Sequence, residues 1–176
     1  RLEYRGYDSA GISIMENGKI ANFKAVGKVA ELENKISGKN ISGTVGIAHT
    51  RWATHGRPSD KNSHPHSDCT GNIHLVHNGI IENYQELKNF LIRKKHRFVS
   101  ETDSEVVAHL IEEVSKSASR KISFKEAVLE TLKSIKGTYG LAVISNEEPQ
   151  KIIAARMGSP LVLGLEAWRI ARREGP

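Results

Sequence analysis

An α+β fold of antiparallel sheets covered by helices is predicted by three features of the sequence. Short apolar runs are joined by hairpin-type turns, amphipathic helical segments come in blocks, and no linker, repeat or low-complexity tract divides the 176 residues. Gly11 to Met15 and Ile20 to Val26 are apolar runs flanking Glu16-Asn17-Gly18-Lys19, the pattern of a hairpin. Val29, Leu32, Glu33 and Ile36 then fall at helical spacing and stop before Gly38. A third strand, Thr44 to His49, runs into an aperiodic stretch from Arg51 to Asn72, a length typical of functional loops. Ile73 to His77 alternates and stops at Asn78-Gly79, a turn dipeptide, after which Tyr84, Leu87, Phe90 and Leu91 return to helical spacing. Two capping boxes, Thr102-x-x-Glu105 and Ser123-x-x-Glu126, each open a helix. Strands resume at Thr138 to Ser145, turn at Asn146-Glu147-Glu148-Pro149, continue at Lys151 to Ala155 and end with Pro160 to Leu163. Leu165 to Pro176 abandons alternation for a basic tail, so one domain over residues 1–164 is expected, followed by a divergent tail over 165–176.

Composition narrows the function classes. With 26 Lys+Arg against 20 Asp+Glu the net charge is +6, and 38% of residues are hydrophobic, which fits a folded chain able to bury its own core. The basic residues are spread along the chain, clustering only at Arg93 to Arg97 and Arg169 to Arg173 without interleaved aromatics, so nucleic acid is not an expected partner. A membrane is not expected either, since no apolar run reaches the about 18–20 residues that a span requires. A single cysteine, Cys69, excludes an internal disulfide framework and makes the reducing cytoplasm the expected compartment. No cofactor is expected.

Six of the eight histidines lie between His49 and His77. They invite a zinc assignment, yet the segment between them is a loop without the fixed spacing or completing ligands of a zinc site, and no metal is expected.

Other residues carry chemistry more directly. His49-Thr50-Arg51-Trp52-Ala53-Thr54-His55-Gly56 comes off a strand end, placing a guanidinium, hydroxyls and an indole at a cleft. Arg51 suits an α-carboxylate through its planar fork, or pairs with a structural carboxylate while Trp52 packs in the core. Asn78-Gly79 is either a turn with Gly79 at positive φ or an oxyanion hole, in which an amide side chain and a backbone N–H converge on a carbonyl oxygen. Asp103 either complements a helix dipole or holds a ligand's ammonium group. Cys69, in Ser67-Asp68-Cys69-Thr70-Gly71, shows neither a strand-to-helix elbow nor an adjacent base and reads as a loop thiol outside catalysis.

Six blocks, Arg5 to Gly11, His49 to Gly56, Ser63 to His66, Val76 to Asn83, Glu101 to Glu105 and Gly158 to Val162, resemble the glutaminase domain of the glutamine:fructose-6-phosphate amidotransferase family, the glucosamine-6-phosphate synthases. The resemblance implies an N-terminal-nucleophile hydrolase fold, a four-layer αββα sandwich. It implies hydrolysis of L-glutamine to glutamate by an N-terminal cysteine thiol, with ammonia supplied for conversion of fructose 6-phosphate to glucosamine 6-phosphate. Carried onto matching positions, it implies Arg51 as the α-carboxylate clamp and Asp103 as the α-ammonium partner. Asn78 and Gly79 become the oxyanion hole, and Trp52, Thr54 and His55 a loop closing over glutamine. The family's initial Cys-Gly-Ile-Val-Gly and its C-terminal sugar isomerase domains have no counterpart in residues 1–176, so this chain alone is expected to be inactive. A non-catalytic glutamine-binding module and a His-cluster metal protein are the alternatives.

Overall fold

The computed structural model describes residues 6–53 and 56–164. The element order is strands, one helix, strands, three helices, strands, as expected: β1 (Ser9–Glu16), β2 (Lys19–Val26), α1 (Val29–Ile36), β3 (Val45–Arg51), β4 (His66–Ser67), β5 (Ile73–Ile81), α2 (Tyr84–Arg93), α3 (Glu105–Ser117), α4 (Phe124–Ser134), β6 (Gly137–Ser145) and β7 (Ile152–Met157). Two antiparallel sheets result, one ordered β2-β1-β3 and the other β4-β5-β6-β7. Helix α1 lies on the first sheet, α3 lies on β4 and β5 of the second with α2 and α4 beside it, and β3 faces β5 and β6 across the middle. This is the αββα sandwich.

Local chemistry explains two of the boundaries. Asn17 and Gly18 take φ of 51° and 74°, the two left-handed positions of a tight hairpin turn between β1 and β2. Ser123 caps α4 as a full capping box, its hydroxyl accepting from the Glu126 N–H while the Glu126 carboxylate accepts from the Ser123 N–H.

Four expectations are corrected. Ser104, not Thr102, is the N-cap of α3, because the Glu105 carboxylate accepts from the Val99 and Ser100 N–H groups and so ties down the preceding segment. The stretch from Arg51 to Asn72 contains the two-residue strand β4, paired with β5. Strand β5 does not stop at Asn78-Gly79 but continues to Ile81. Pro160 to Leu163 is irregular and largely exposed, and the last strand of the sheet is β7. The basic tail, 165–176, lies outside the described residues.

The two sheets are supported unequally. Leu75, Ile81, Leu91, Val106, Ile111, Val128 and Leu141 belong to one large apolar core between the second sheet and its helices. Under the first sheet, Ala10, Ala25 and Leu32 form a small cluster with Ile12, Phe23, Val29 and Ile36 around them. The layer between the sheets is polar. Ser13 Oγ on β1 lies 2.8 Å from His74 Nδ1 on β5, and both are buried. Gly11 is required here, since a Cβ would come 2.0 Å from the His64 carbonyl oxygen.

The polar layer makes stability depend on pH. Burial lowers the pKa of His49 and of His74 to about 4, and that of His64 and His66 well below the ordinary 6.5. Below pH about 6.5 the unfolded chain takes up protons that the folded chain refuses, so each such histidine removes about 1.4 kcal/mol per pH unit until its folded pKa is reached. Above that pH it contributes no dependence. A melting temperature flat from pH 8 to 7 and falling steeply from pH 6.5 to 4.5, before carboxylates dominate, is the expected outcome. A flat profile across that window would show that these rings are hydrated in the folded protein.

Candidate active site

A cleft opens where the two sheets meet. Its walls come from the end of β3 (His49, Thr50, Arg51), from β5 (His77, Asn78, Gly79) and from the entry to α3 (Thr102, Asp103, Ser104), with His64 at its base and Trp52 at its rim. Residues far apart in sequence thus converge where β3 of one sheet meets β5 of the other.

Arg51 is buried, 4% exposed, and its Nη2 donates to the Gly56 carbonyl at 3.1 Å. Burial lowers its pKa from the ordinary 12.5, opposed by the nearby charges of Asp8 and Asp103. A guanidinium remains charged under any such shift. Asp103 is equally buried, with Oδ2 accepting the Ile81 N–H at 2.8 Å and Oδ1 accepting the Ser104 hydroxyl at 3.2 Å. The carboxylate therefore joins the start of α3 to the end of β5 while facing the cleft. Ser104 Oγ also lies 2.8 Å from His77 Nδ1, which extends the network along β5. Burial lowers the His77 pKa against the opposing pull of Asp103, so the ring is neutral near pH 7.

Asn78 and Gly79 pair with Gly140 and Tyr139 inside the sheet, which rules out the ordinary-turn reading. The glycine is there for another reason: at φ 143° a Cβ would stand 2.1 Å from the Thr138 carbonyl oxygen on the neighbouring strand. Asn78 itself is exposed at the mouth of the cleft, and its carbonyl accepts from Ser159 Oγ at 3.3 Å.

Trp52 is not a core residue, being 59% exposed with its ring 5.5 Å from that of Tyr7. The next residue is anchored, since the Ala53 N–H donates to Asp8 Oδ2 at 2.7 Å. Thr54 and His55 lie outside the described residues. The structure thus brings Arg51, Trp52, Asn78, Gly79 and Asp103 to one cleft. It adds His49, His64, His77 and Ser104, which sequence reasoning did not place there. Of these, His49 and His64 leave their Nδ1 atoms buried without a hydrogen-bond partner among the described residues. Their rings lie against each other, centroids 4.4 Å apart.

Cys69 lines a separate pocket with His66, Arg97 and His109. It does have basic neighbours, contrary to the sequence reading: His109 Nδ1 and His96 Nδ1 lie 3.4 and 3.6 Å from its sulfur. Both come from distant segments, which the local pattern around Cys69 could not reveal.

The family is defined by a match to a model described as a glutamine amidotransferase domain over residues 49–167, more than half of the chain, and the chain belongs to that family. Its fold places it among the N-terminal-nucleophile hydrolases. The amidotransferase of glutamine and phosphoribosylpyrophosphate from B. subtilis superposes with a TM-score of 0.72 at 28% identity, over 88% of this chain and 32% of that one. More particularly, the chain is homologous to the glutaminase domain of glucosamine-6-phosphate synthase. It is 50% identical over 165 residues to the isomerizing glutamine–fructose-6-phosphate aminotransferase of Pyrococcus horikoshii, covering 94% of this chain and 27% of the relative. The enzyme of the same name from Methanosarcina acetivorans is 55% identical over 174 residues, with 94% of this chain and 27% of that protein covered. That from Pyrobaculum aerophilum is 48% identical over 178 residues and aligns with 100% of this chain, the basic tail included, and 29% of its own length. The chain therefore spans little more than a quarter of these relatives.

Proposed function

We propose that the cleft binds L-glutamine and that the domain is the glutaminase part of a larger, cytoplasmic enzyme. Ammonia released from the side-chain amide passes to sugar isomerase domains that convert fructose 6-phosphate to glucosamine 6-phosphate. The observation that carries the reading is the facing of a buried guanidinium, Arg51, and a buried carboxylate, Asp103, across one cleft that also holds Asn78 and Gly79. An amino acid presents those two charges in reverse, so Arg51 takes the α-carboxylate and Asp103 the α-ammonium. The side chain then reaches Asn78 and Gly79, whose amide and N–H receive the oxygen that becomes negative when a thiol attacks. Trp52, Thr54 and His55 close over the ligand. The domain extends through residue 164, and the thiol is that of the family's leading cysteine.

The test uses the chain preceded by the family's Cys-Gly-Ile-Val-Gly segment. L-Glutamine is expected to yield glutamate and ammonia. An analogue lacking the α-ammonium is expected to bind at least tenfold more weakly, because the buried Asp103 carboxylate keeps its bonds from Ile81 N–H and the Ser104 hydroxyl but loses its charged partner. Equal binding of that analogue would remove Asp103 from recognition. Glutamine binding without hydrolysis would leave a sensing module.

A further inference from the structure

Four side chains outside the cleft converge on one point. Cys69 lies in the turn between β4 and β5, His96 follows α2, and His109 and Glu112 sit one turn apart on α3. His96 Nδ1 and His109 Nδ1 are 3.4 Å apart, and the Cys69 sulfur is 3.6 and 3.4 Å from them. Glu112 Oε2 is 3.1 Å from His96 Nδ1 and 3.6 Å from His109 Nδ1. A tetrahedral zinc ion, with bonds of about 2.3 Å to sulfur and about 2.0–2.1 Å to nitrogen and oxygen, requires ligand atoms about 3.3–3.6 Å apart. Four of these five separations fall in that range, the fifth, 3.1 Å between Glu112 Oε2 and His96 Nδ1, is slightly shorter, and all four ligand atoms lie within 4.8 Å of one another.

The outer atoms make the same point. His96 Nε2 lies 3.2 Å from Glu113 Oε2, and His109 Nε2 lies 3.4 Å from Glu105 Oε1. With each Nε2 against a carboxylate, the rings turn their Nδ1 atoms toward each other, a sulfur and a carboxylate oxygen. Two ring nitrogens, a sulfur and a carboxylate oxygen aimed at one centre are the donor set a metal ion accepts. Carboxylates behind ligating histidines are also what fixes the ring orientation in metal sites. The Arg97 N–H, 3.4 Å from the Cys69 sulfur, supplies the kind of donor that supports a thiolate. His96, His109 and Glu112 are buried, with Cys69 closing the site from its exposed side.

From this geometry we infer that Cys69, His96, His109 and Glu112 form a structural zinc site. The thiolate and the carboxylate balance the two charges of the ion, and mixed sulfur, nitrogen and oxygen donors in a tetrahedron favour zinc. Four protein ligands leave no open position, so the ion does no chemistry on substrate. It fastens the turn at Cys69 and the segment after α2 onto α3. No spacing in the sequence announces the site, because only His109-x-x-Glu112 is local.

The 176-residue chain, stripped of metal by a chelator, is titrated with zinc and, separately, with cobalt(II). One equivalent of zinc is expected to bind and to raise the melting temperature by roughly 5–10 °C at free zinc about a hundredfold above its dissociation constant. Cobalt is expected to give the intense visible bands of a tetrahedral centre together with a thiolate charge-transfer band. Cys69→Ser is expected to abolish that band and to weaken zinc binding at least tenfold. The unaltered chain's cobalt spectrum decides the matter even if the variant folds poorly: absence of the thiolate band overturns the site. It is equally overturned by a band unchanged in Cys69→Ser, by binding that is lost in His64→Asn instead, or by no saturable binding. In that last case the four side chains are a hydrogen-bonded cluster carrying a proton.

Discussion

Replacing Asn78 by alanine, in the chain that carries the leading cysteine segment, is expected to lower kcat for glutamine hydrolysis by roughly 10²–10³-fold, or about 2.7–4 kcal/mol, and to change KM much less. Asn78 sits at an exposed position of β5 and supplies nothing to the apolar core, so its removal spares stability. The backbone there is held by pairing with Gly140 and by Ser159 donating to the Asn78 carbonyl, neither of which needs the side chain. Melting temperature and kcat measured on one preparation separate the two roles. A lowered melting temperature with unchanged kcat would make the residue structural.

Arg51→Lys is expected to have the second large effect, and to exert it on glutamine binding. Lysine keeps the charge but loses the fork, and disrupting a buried charged contact costs about 2–5 kcal/mol, so KM for glutamine rises by roughly 30-fold or more. Arg51 also holds the Gly56 carbonyl, and the substitution releases that loop as well. The control is a small anion such as chloride or acetate that competes with glutamine: its inhibition should weaken in parallel. Unchanged KM in a folded variant would confine Arg51 to tethering Gly56.

How far the chain could be read in advance depended on how local each cause was. The β1–β2 hairpin and the α4 capping box were legible because Asn17-Gly18 and Ser123-x-x-Glu126 act within a few residues. The Thr102 box failed because its glutamate is taken up by the backbone of Val99 and Ser100 just upstream, while the Thr102 hydroxyl lies 3.1 Å from His66 Nε2, a partner 36 positions away. Asn78-Gly79 looked like a turn because that dipeptide tolerates positive φ. The glycine is needed instead for the approach of the Thr138 carbonyl, a residue 59 positions away. Strand β4, at two residues, is too short to carry any periodicity. In the site, Arg51, Asp103 and Asn78 stood out as chemistry in recognisable blocks. His77 and Ser104 did not, since their link exists only once α3 is docked on β5.

The polar seam between the sheets and the imbalance of their apolar support divide the domain into cooperative units of different strength. The second sheet and its helices share one extended core, whereas the first sheet rests on a small cluster and on contacts such as Ser13 with His74. Partial opening therefore begins with β1 to β3, at a free energy below that of global unfolding. Arg51 belongs to the weaker unit, and Asn78 and Asp103 to the stronger. On the proposed binding mode a ligand gripped from both sides spans the seam, so occupancy of the cleft is expected to add its binding energy to the half of the protein that otherwise comes apart first.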